Sequence, residues 1–344
     1  MKVIFSGKQK NHWPKMFLSS GSPQPNPEVP ERAERLLAAA VHSGLELEEP
    51  DDFGTGPIAT VHTAEYLQFL QHIFTRWQRI PDASAEVIPN IHPDRRDGAY
   101  PASAVGQVGY HVSDTACPIS ATTWESARWS ANSAVHAANE VLGGAAACYA
   151  LARPPGHHAA RDLAGGFCYL NNSAIGAEVL RSRYERVAIL DVDVHHGNGT
   201  QSIFYERQVV LTVSIHADPV RFYPFFWGHA SERGSGPGLG SNYNLPLPRG
   251  TDDTAYLEAL ERALLRIDAF APGALVVALG LDAFEGDPFQ GFAVTTEGFG
   301  HIAKQIAALE LPTLIVQEGG YLCDALGANL ESFLRAFTAQ HKRL

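Results

Sequence analysis

Five short runs rich in aliphatic and β-branched residues, at 146–152, 187–194, 209–215, 275–281 and 311–316, recur through the second part of the chain, with helix-like stretches between most of them. Runs that are apolar on both faces need cover on both faces, so the rhythm predicts an α/β fold: a parallel sheet with helices on each side. The intervening stretches carry helical spacing. Thr122-Thr-Trp-Glu125 has the pattern of a capping box and precedes Ala127, Ala131, Ala134, Val135 and Ala138. A second stretch begins at Asp253 and puts Leu257, Leu260, Leu264 and Ile267 on one face, and two more lie at 299–309 and 326–337. With 344 residues, 45% apolar and 18% charged, the chain can bury a large core, and residues 1–344 read as one domain without internal repeats.

Two segments interrupt the rhythm. Residues 19–30 are rich in Ser, Gly and Pro, and residues 80–101 carry Pro81, Pro89, Pro93 and Pro101 with little periodicity. Loops of this length are usually functional. A loop insertion at about 80–105 is therefore expected to border the active site or to pack against a second subunit, which predicts a homodimer.

Several classes of function are disfavoured. A net charge of −11 without a basic stripe argues against nucleic-acid binding. No stretch approaches the ~20 apolar residues of a membrane span, and the opening Met1-Lys-Val-Ile-Phe-Ser-Gly7 has no secretory h-region, so a cytoplasmic location is expected. Cys117, Cys148, Cys168 and Cys323 show no CxxC spacing, which predicts reduced thiols, mostly packed in the interior.

The chemistry-bearing residues gather after the strand-like runs. Arg153-Pro-Pro-Gly-His157-His158 follows the first, Asp191-Val-Asp193-Val-His195-His-Gly-Asn198 ends the second, Asp282 follows the fourth, and Glu318-Gly-Gly-Tyr321 follows the last. In an open parallel sheet these carboxyl ends face one crevice. Carboxylates within an apolar run are costly unless a cation neutralises them. With strand periodicity, Asp193 and His195 point the same way, and Asp282 completes a set of two carboxylates and one imidazole with positions left open. That set predicts metal-assisted hydrolysis. Each residue alone has a plainer role: Asp191 binding loop amides, Asp282 capping an element, the histidine pair packing, Tyr321 sitting in the core. His62, His136, His216 and His301 read as structural histidines rather than ligands.

Taken together, Arg153-Pro-Pro-Gly-His-His158, Gly165-Gly-Phe-Cys-Tyr-Leu-Asn-Asn172, Asp191-Val-Asp-Val-His-His-Gly-Asn-Gly-Thr200, Leu281-Asp-Ala-Phe-Glu-Gly-Asp-Pro288 and Glu318-Gly-Gly-Tyr321 resemble the signature blocks of the histone deacetylase superfamily. Pro30-Glu-Arg32 and His62-Thr-Ala-Glu-Tyr-Leu67 extend the resemblance over nearly the whole chain. Within it, the opening residues, Gly106-Gln-Val-Gly-Tyr110 and the proline-bearing segment are most similar to bacterial acetylpolyamine amidohydrolases.

The resemblance implies an arginase-deacetylase fold and zinc-dependent removal of acetyl groups from acetylated polyamines or short diamines such as acetylputrescine and acetylcadaverine. The alternative is a lysine deacetylase acting on acetylated peptides or proteins. Asp193, His195 and Asp282 would hold zinc, although ferrous iron suits the same ligands. His158 would act as general base beside His157, the reverse being the alternative, and Tyr321 would donate its hydroxyl to the oxyanion. Asp191 would hydrogen-bond His157, and Asn198 would do so for His158. A potassium ion would be held by Asp191, Asp193, His195 and Ser214, and Gly166, Phe167 and Tyr223 would line the acyl tunnel. Residues 16–19, 105–107 and 115–117 carry no Glu, which leaves Asp94, Asp97, Asp114 and Glu285 as acids for a distal ammonium, or else a shorter acetylated diamine as substrate. A two-metal ureohydrolase and a non-catalytic binder are the readings from other classes. The single distant Asp282 argues against the first, and the intact His157, His158 and Tyr321 against the second.

Overall fold

The computed structural model describes residues 1–341. Its strands are β1 (Lys2–Ile4), β2 (Met16–Ser19), β3 (Ser22–Pro25), β4 (Glu46–Glu48), β5 (Ala147–Ala150), β6 (Val187–Asp191), β7 (Val210–Ala217), β8 (Asn242–Leu247), β9 (Ala274–Leu279) and β10 (Thr313–Gln317). The α-helices are α1 (Pro30–His42), α2 (Gly56–Ala59), α3 (Ala64–Trp77), α4 (Ala104–His111), α5 (Thr123–Leu142), α6 (Asn172–Arg181), α7 (Asn198–Phe204), α8 (Asp253–Phe270), α9 (Thr296–Ala307) and α10 (Leu326–Gln340). Eight strands form one sheet in the order β4-β1-β5-β10-β9-β6-β7-β8, every pair parallel, and β2 and β3 make a separate antiparallel hairpin.

The two faces of the sheet explain why the central runs are continuously apolar. Ala188 and Leu190 of β6 and Leu275, Val277 and Leu279 of β9 point into a core shared with Leu36, Leu260, Ile302 and Phe333. Val187, Ile189 and Val276, one residue out of step, point into the opposite core with Ala134, Ile175 and Leu70. Period two with both sides buried is the signature of a sheet sandwiched between helices. Truncating one of these side chains, as in Leu190→Ala, removes packing worth about 2–5 kcal/mol.

Two local expectations are corrected. The run at 187–194 stops being a strand at Asp191. The Asp191 Oδ1 atom accepts the Asp193 N–H at 3.1 Å, so the carboxylate takes an amide that a continuing strand would give to its neighbour. Asp193 and His195 therefore converge through a side-chain-supported loop rather than through strand periodicity. At the start of α5 the Thr122 side chain makes no capping bond: its backbone is helical rather than extended, and its hydroxyl is turned to the Asn11 carbonyl, to which it donates at 2.7 Å.

The interrupting segments differ in what they do. Residues 16–25 form the β2–β3 hairpin, whose Phe17, Leu18, Ser19 and Ser20 reach the mouth of a large cavity. Residues 80–101 fold over α4, pinned by the Arg96–Asp162 ion pair at 2.9 Å and the Tyr110 hydroxyl on the Arg96 carbonyl, and contribute nothing to the lining of that cavity. All four cysteines are free, three of them buried. Among the described residues no helix is long and apolar enough to cross a membrane.

Candidate active site

Four adjacent strands at the centre of the sheet, β5, β10, β9 and β6, deliver the chemistry. The loop after β5 carries His157 and His158, that after β10 carries Glu318 to Tyr321, that after β9 carries Asp282, and β6 ends on Asp191 and leads into Asp193 and His195. Adjacency of the strands brings these loops together at one edge, where parallel sheets place their sites.

Asp193, His195 and Asp282 form a buried cluster with candidate ligand atoms within 4.8 Å of one another. The His195 Nδ1 atom lies 3.1 Å from Asp193 Oδ1 and 3.1 Å from Asp282 Oδ2. The outer oxygens are occupied: Asp193 Oδ2 accepts the Gly319 N–H at 2.7 Å, and Asp282 Oδ1 accepts the Val194 N–H at 3.0 Å. Burial and the neighbouring Asp193 charge push Asp282 up to about 6. Burial opposes the charge on His195, yet hydrogen bonds to Asp193 and Asp282 raise it to about 9. Two carboxylates facing one imidazole suit a divalent ion, whose charge would offset the burial that pushes Asp282 up. The donor set therefore fits a transition metal. The other acid–histidine cluster near the surface, Glu48, His136 and Glu140, is already served by Lys2, whose Nζ is 2.6 and 3.0 Å from the two glutamates.

The tandem histidines lie against one another, ring centroids 4.0 Å apart, in unlike surroundings. His157 Nδ1 is 2.9 Å from Asp191 Oδ2. Burial disfavours the cation, but Asp191 and Asp193 outweigh it and carry His157 well above the ordinary histidine range. His158 Nδ1 is 2.7 Å from Asn198 Oδ1, and burial followed by the positive neighbours His157 and His195 drives it well below that range. Asn198 is an acceptor there, so the proton of neutral His158 sits on Nδ1 and Nε2 is left basic. The His157 loop is anchored from beneath by Glu318 Oε2, which accepts the N–H groups of Gly156 and His157 at 2.6 and 3.0 Å.

Above this floor lies a cavity of about 570 Å³ lined by His158, His195, Asn198, Gly166, Phe167, Tyr223 and Tyr321. Tyr223 meets His158 edge-on at 5.0 Å, and Phe167 meets Tyr321 at 5.8 Å. Gly166 has φ +51°, and a side chain there would strike the His158 ring and the Tyr223 hydroxyl, so only glycine fits. Ser214 stands opposite Asp191 in register on β7, with its hydroxyl 2.8 Å from His216 Nδ1. A small cavity of about 10 Å³ touches Asp191 and Ser214.

Of the acids considered for a distal ammonium, Asp114 alone lines the cavity; Asp94, Asp97 and Glu285 do not. Asp114 Oδ2 accepts from the Tyr223 hydroxyl at 2.7 Å and from the Gly166 N–H at 3.0 Å, so it also shapes the walls. Two residues not anticipated are Phe222, stacked on His195 at 5.0 Å, and Phe289, edge-on to both His195 at 5.2 Å and Tyr321 at 4.7 Å. Both sit next to residues already singled out, one before Tyr223 and one after Pro288, but an isolated Phe gives no sign in the sequence of facing a site. The histidines read as structural do have partners of that kind: His62 Nε2 accepts the Asn171 N–H, His136 pairs with Glu48, His216 binds Ser214 and the Gly228 carbonyl, and His301 faces Glu297.

Known proteins resemble this chain over nearly its whole length. The histone deacetylase domain matches residues 26–337. The acetylpolyamine amidohydrolase of Burkholderia pseudomallei is 49% identical over 98% of this chain and 99% of its own length, and acetylpolyamine amidohydrolase 1 of Pseudomonas aeruginosa is 42% identical over 98% and 99%. A crystal structure of the Burkholderia pseudomallei acetylpolyamine aminohydrolase superposes with a TM-score of 0.97, covering 99% of both chains. An eight-stranded parallel sheet, its site loops at the ends of four central strands and a domain match over most of the length lead to one conclusion: this chain belongs to the histone deacetylase domain family.

Proposed function

We propose that this protein is a zinc-dependent amidohydrolase that removes the acetyl group from small acetylated amines, with acetylputrescine and acetylcadaverine as the substrates to test first. The carrying observation is the meeting of the unlike histidine pair with the Asp193, His195 and Asp282 cluster at the foot of one aromatic-lined cavity. The names of the relatives support the substrate class.

Asp193, His195 and Asp282 would hold the metal. The chemistry a divalent ion supplies there is polarisation of the amide carbonyl and acidification of water. His158, neutral and with a basic Nε2, takes the proton of the attacking water. His157, tied to Asp191, carries positive charge beside the developing oxyanion, and Tyr321 donates its hydroxyl to it. As the C–N bond breaks, the proton held on the histidine pair passes to the leaving nitrogen, giving acetate and a free amine. Phe167, Tyr223 and Gly166 form a slot suited to an extended methylene chain, and Asp114 is the acid available to a distal ammonium. A potassium ion at Asp191, Asp193, the His195 carbonyl and Ser214 would offset the carboxylate cluster. Residues 1–344 would act as one catalytic domain, paired with a second copy through the segment at about 80–105; light scattering tests that pairing.

The test is turnover by the zinc-loaded protein of N-acetylcadaverine, N-acetylputrescine, acetylspermidine and an acetyl-lysine peptide, with Asp193→Ala as blank. Preference for the free amines supports the proposal. Preference for the peptide would replace it with a protein lysine deacetylase, a reading that the open lining by exposed Phe225, Phe226 and Trp227 keeps under test. No turnover of any of the four would overturn both.

A further inference from the structure

Tyr321 follows two glycines, an arrangement that invites motion rather than precision. Gly320 has φ +106°, so the peptide joining it to Tyr321 can rotate at little cost unless something holds it. The structure holds it at both ends. The Gly320 carbonyl accepts from Arg32 Nε at 2.6 Å, and the Tyr321 N–H of the same peptide unit donates to Asp287 Oδ2 at 2.9 Å. Arg32 is fixed in turn by Glu28 at 2.6 Å and lies over the Tyr321 ring at 4.7 Å.

Asp287 does a second thing with its other oxygen. Oδ1 accepts the Phe289 N–H at 2.9 Å, and the Phe289 ring packs edge-on to Tyr321 and to His195. One carboxylate, 2% exposed, thus fixes the backbone of the hydroxyl donor and the backbone of the ring that braces it. Nothing in the proposed chemistry uses Asp287 itself; the two N–H groups meet different oxygens, so an apolar side chain would accept neither and an amide would turn its NH2 on one of them.

We infer that Asp287 is the positioning residue for Tyr321: with Arg32 it clamps the Gly320–Tyr321 peptide so that the phenol stays aimed at the oxyanion. This rests on the reading of the site as an amidohydrolase with Tyr321 as hydroxyl donor. Loss of the clamp lets the phenol leave its place for part of the time. An interaction made mainly in the transition state is then weakened, which lowers kcat and leaves KM almost unchanged.

The experiment is a double-mutant cycle of Asp287→Asn and Tyr321→Phe in the zinc-loaded enzyme on N-acetylcadaverine, joined to hydrogen exchange of the metal-free protein followed by mass spectrometry. Expected are a fall in kcat of about 10–100-fold for Asp287→Asn, the range for partners that orient a reacting group, and no further fall in the Tyr321→Phe background. Exchange should quicken at residues 287–290 and 319–322 and nowhere else. An equal fall in both backgrounds, or faster exchange throughout the sheet, assigns Asp287 a general structural role and overturns the inference. If Asp287→Asn does not fold, Asp287→Ser, smaller and retaining one acceptor, takes its place. If the wild type hydrolyses no acetylated amine, the proposed function falls, and the exchange pattern alone decides whether the clamp exists.

Discussion

The floor and the rim of the cavity are built on opposite principles. On the floor, Asp193 and Asp282 are fully buried; each gives one oxygen to a backbone N–H of another loop and turns the other toward the His195 ring, Asp193 accepting the His195 N–H there as well. At the rim, Phe226 is 79% exposed, with Phe225 and Trp227 each more than half exposed. Burial makes a misplaced polar atom expensive, so the floor tolerates one arrangement. Exposed rings cost little to move, so the rim can be retuned to other substrate tails without disturbing the chemistry beneath.

Removing Asp193 should test the contrast most severely. Asp193→Ala is expected to bring activity to that of a metal-free blank and to lower bound zinc measured by mass spectrometry; wild-type zinc content with full activity would break the assignment of the floor. Next, Tyr321→Phe should lower kcat by about 10²–10³-fold, as loss of an oxyanion donor does, while zinc content stays at the wild-type level. Asp191→Asn should cost about 10–100-fold, because the partner that orients His157 is weakened rather than removed. On the rim, Phe226→Leu should change kcat/KM by only about 2- to 10-fold, matching an aromatic contact of roughly 0.5–1.5 kcal/mol. A larger loss there would mean that the rim shares the rigidity of the floor.

A last prediction concerns stability rather than turnover. Burial holds His62 down at about 4, against 6.5 for a free histidine, while its Nε2 accepts the Asn171 N–H. The unfolded chain therefore binds a proton between those values that the folded chain refuses. Stability from this group is complete above pH 6.5 and is lost as pH falls from 6.5 toward 4. Thermal melting across that window should show the decline, and His62→Gln should flatten it; an unchanged slope would remove His62 as its source.

The sequence was legible where chemistry and periodicity coincide. The central strands are buried on both faces and so appear as unbroken aliphatic runs, which is why β6, β7, β9 and β10 lie within a few residues of the expected runs. Acids and histidines at their ends stand out because nothing in an apolar core accounts for them. The end of β6 was harder to see, since the bond from Asp193 N–H to the Asp191 side chain leaves no trace in hydrophobic pattern. Phe222 and Phe289 were illegible for the complementary reason: a phenylalanine facing an active site and one facing a core have the same local signal.

By itself the sequence determined five of the eight strands of the sheet, including its centre, and the acids and histidines that follow them, because burial and ionisable chemistry are properties of each segment alone. Only the tertiary structure decided which oxygen of each carboxylate faces inward, how two adjacent histidines come to hold protons so differently, and that Asp287 and Arg32, 255 positions apart, grip one peptide. Those facts depend on hydrogen bonds between loops distant in the chain. Such bonds exist only where the packing of the sheet holds those loops side by side.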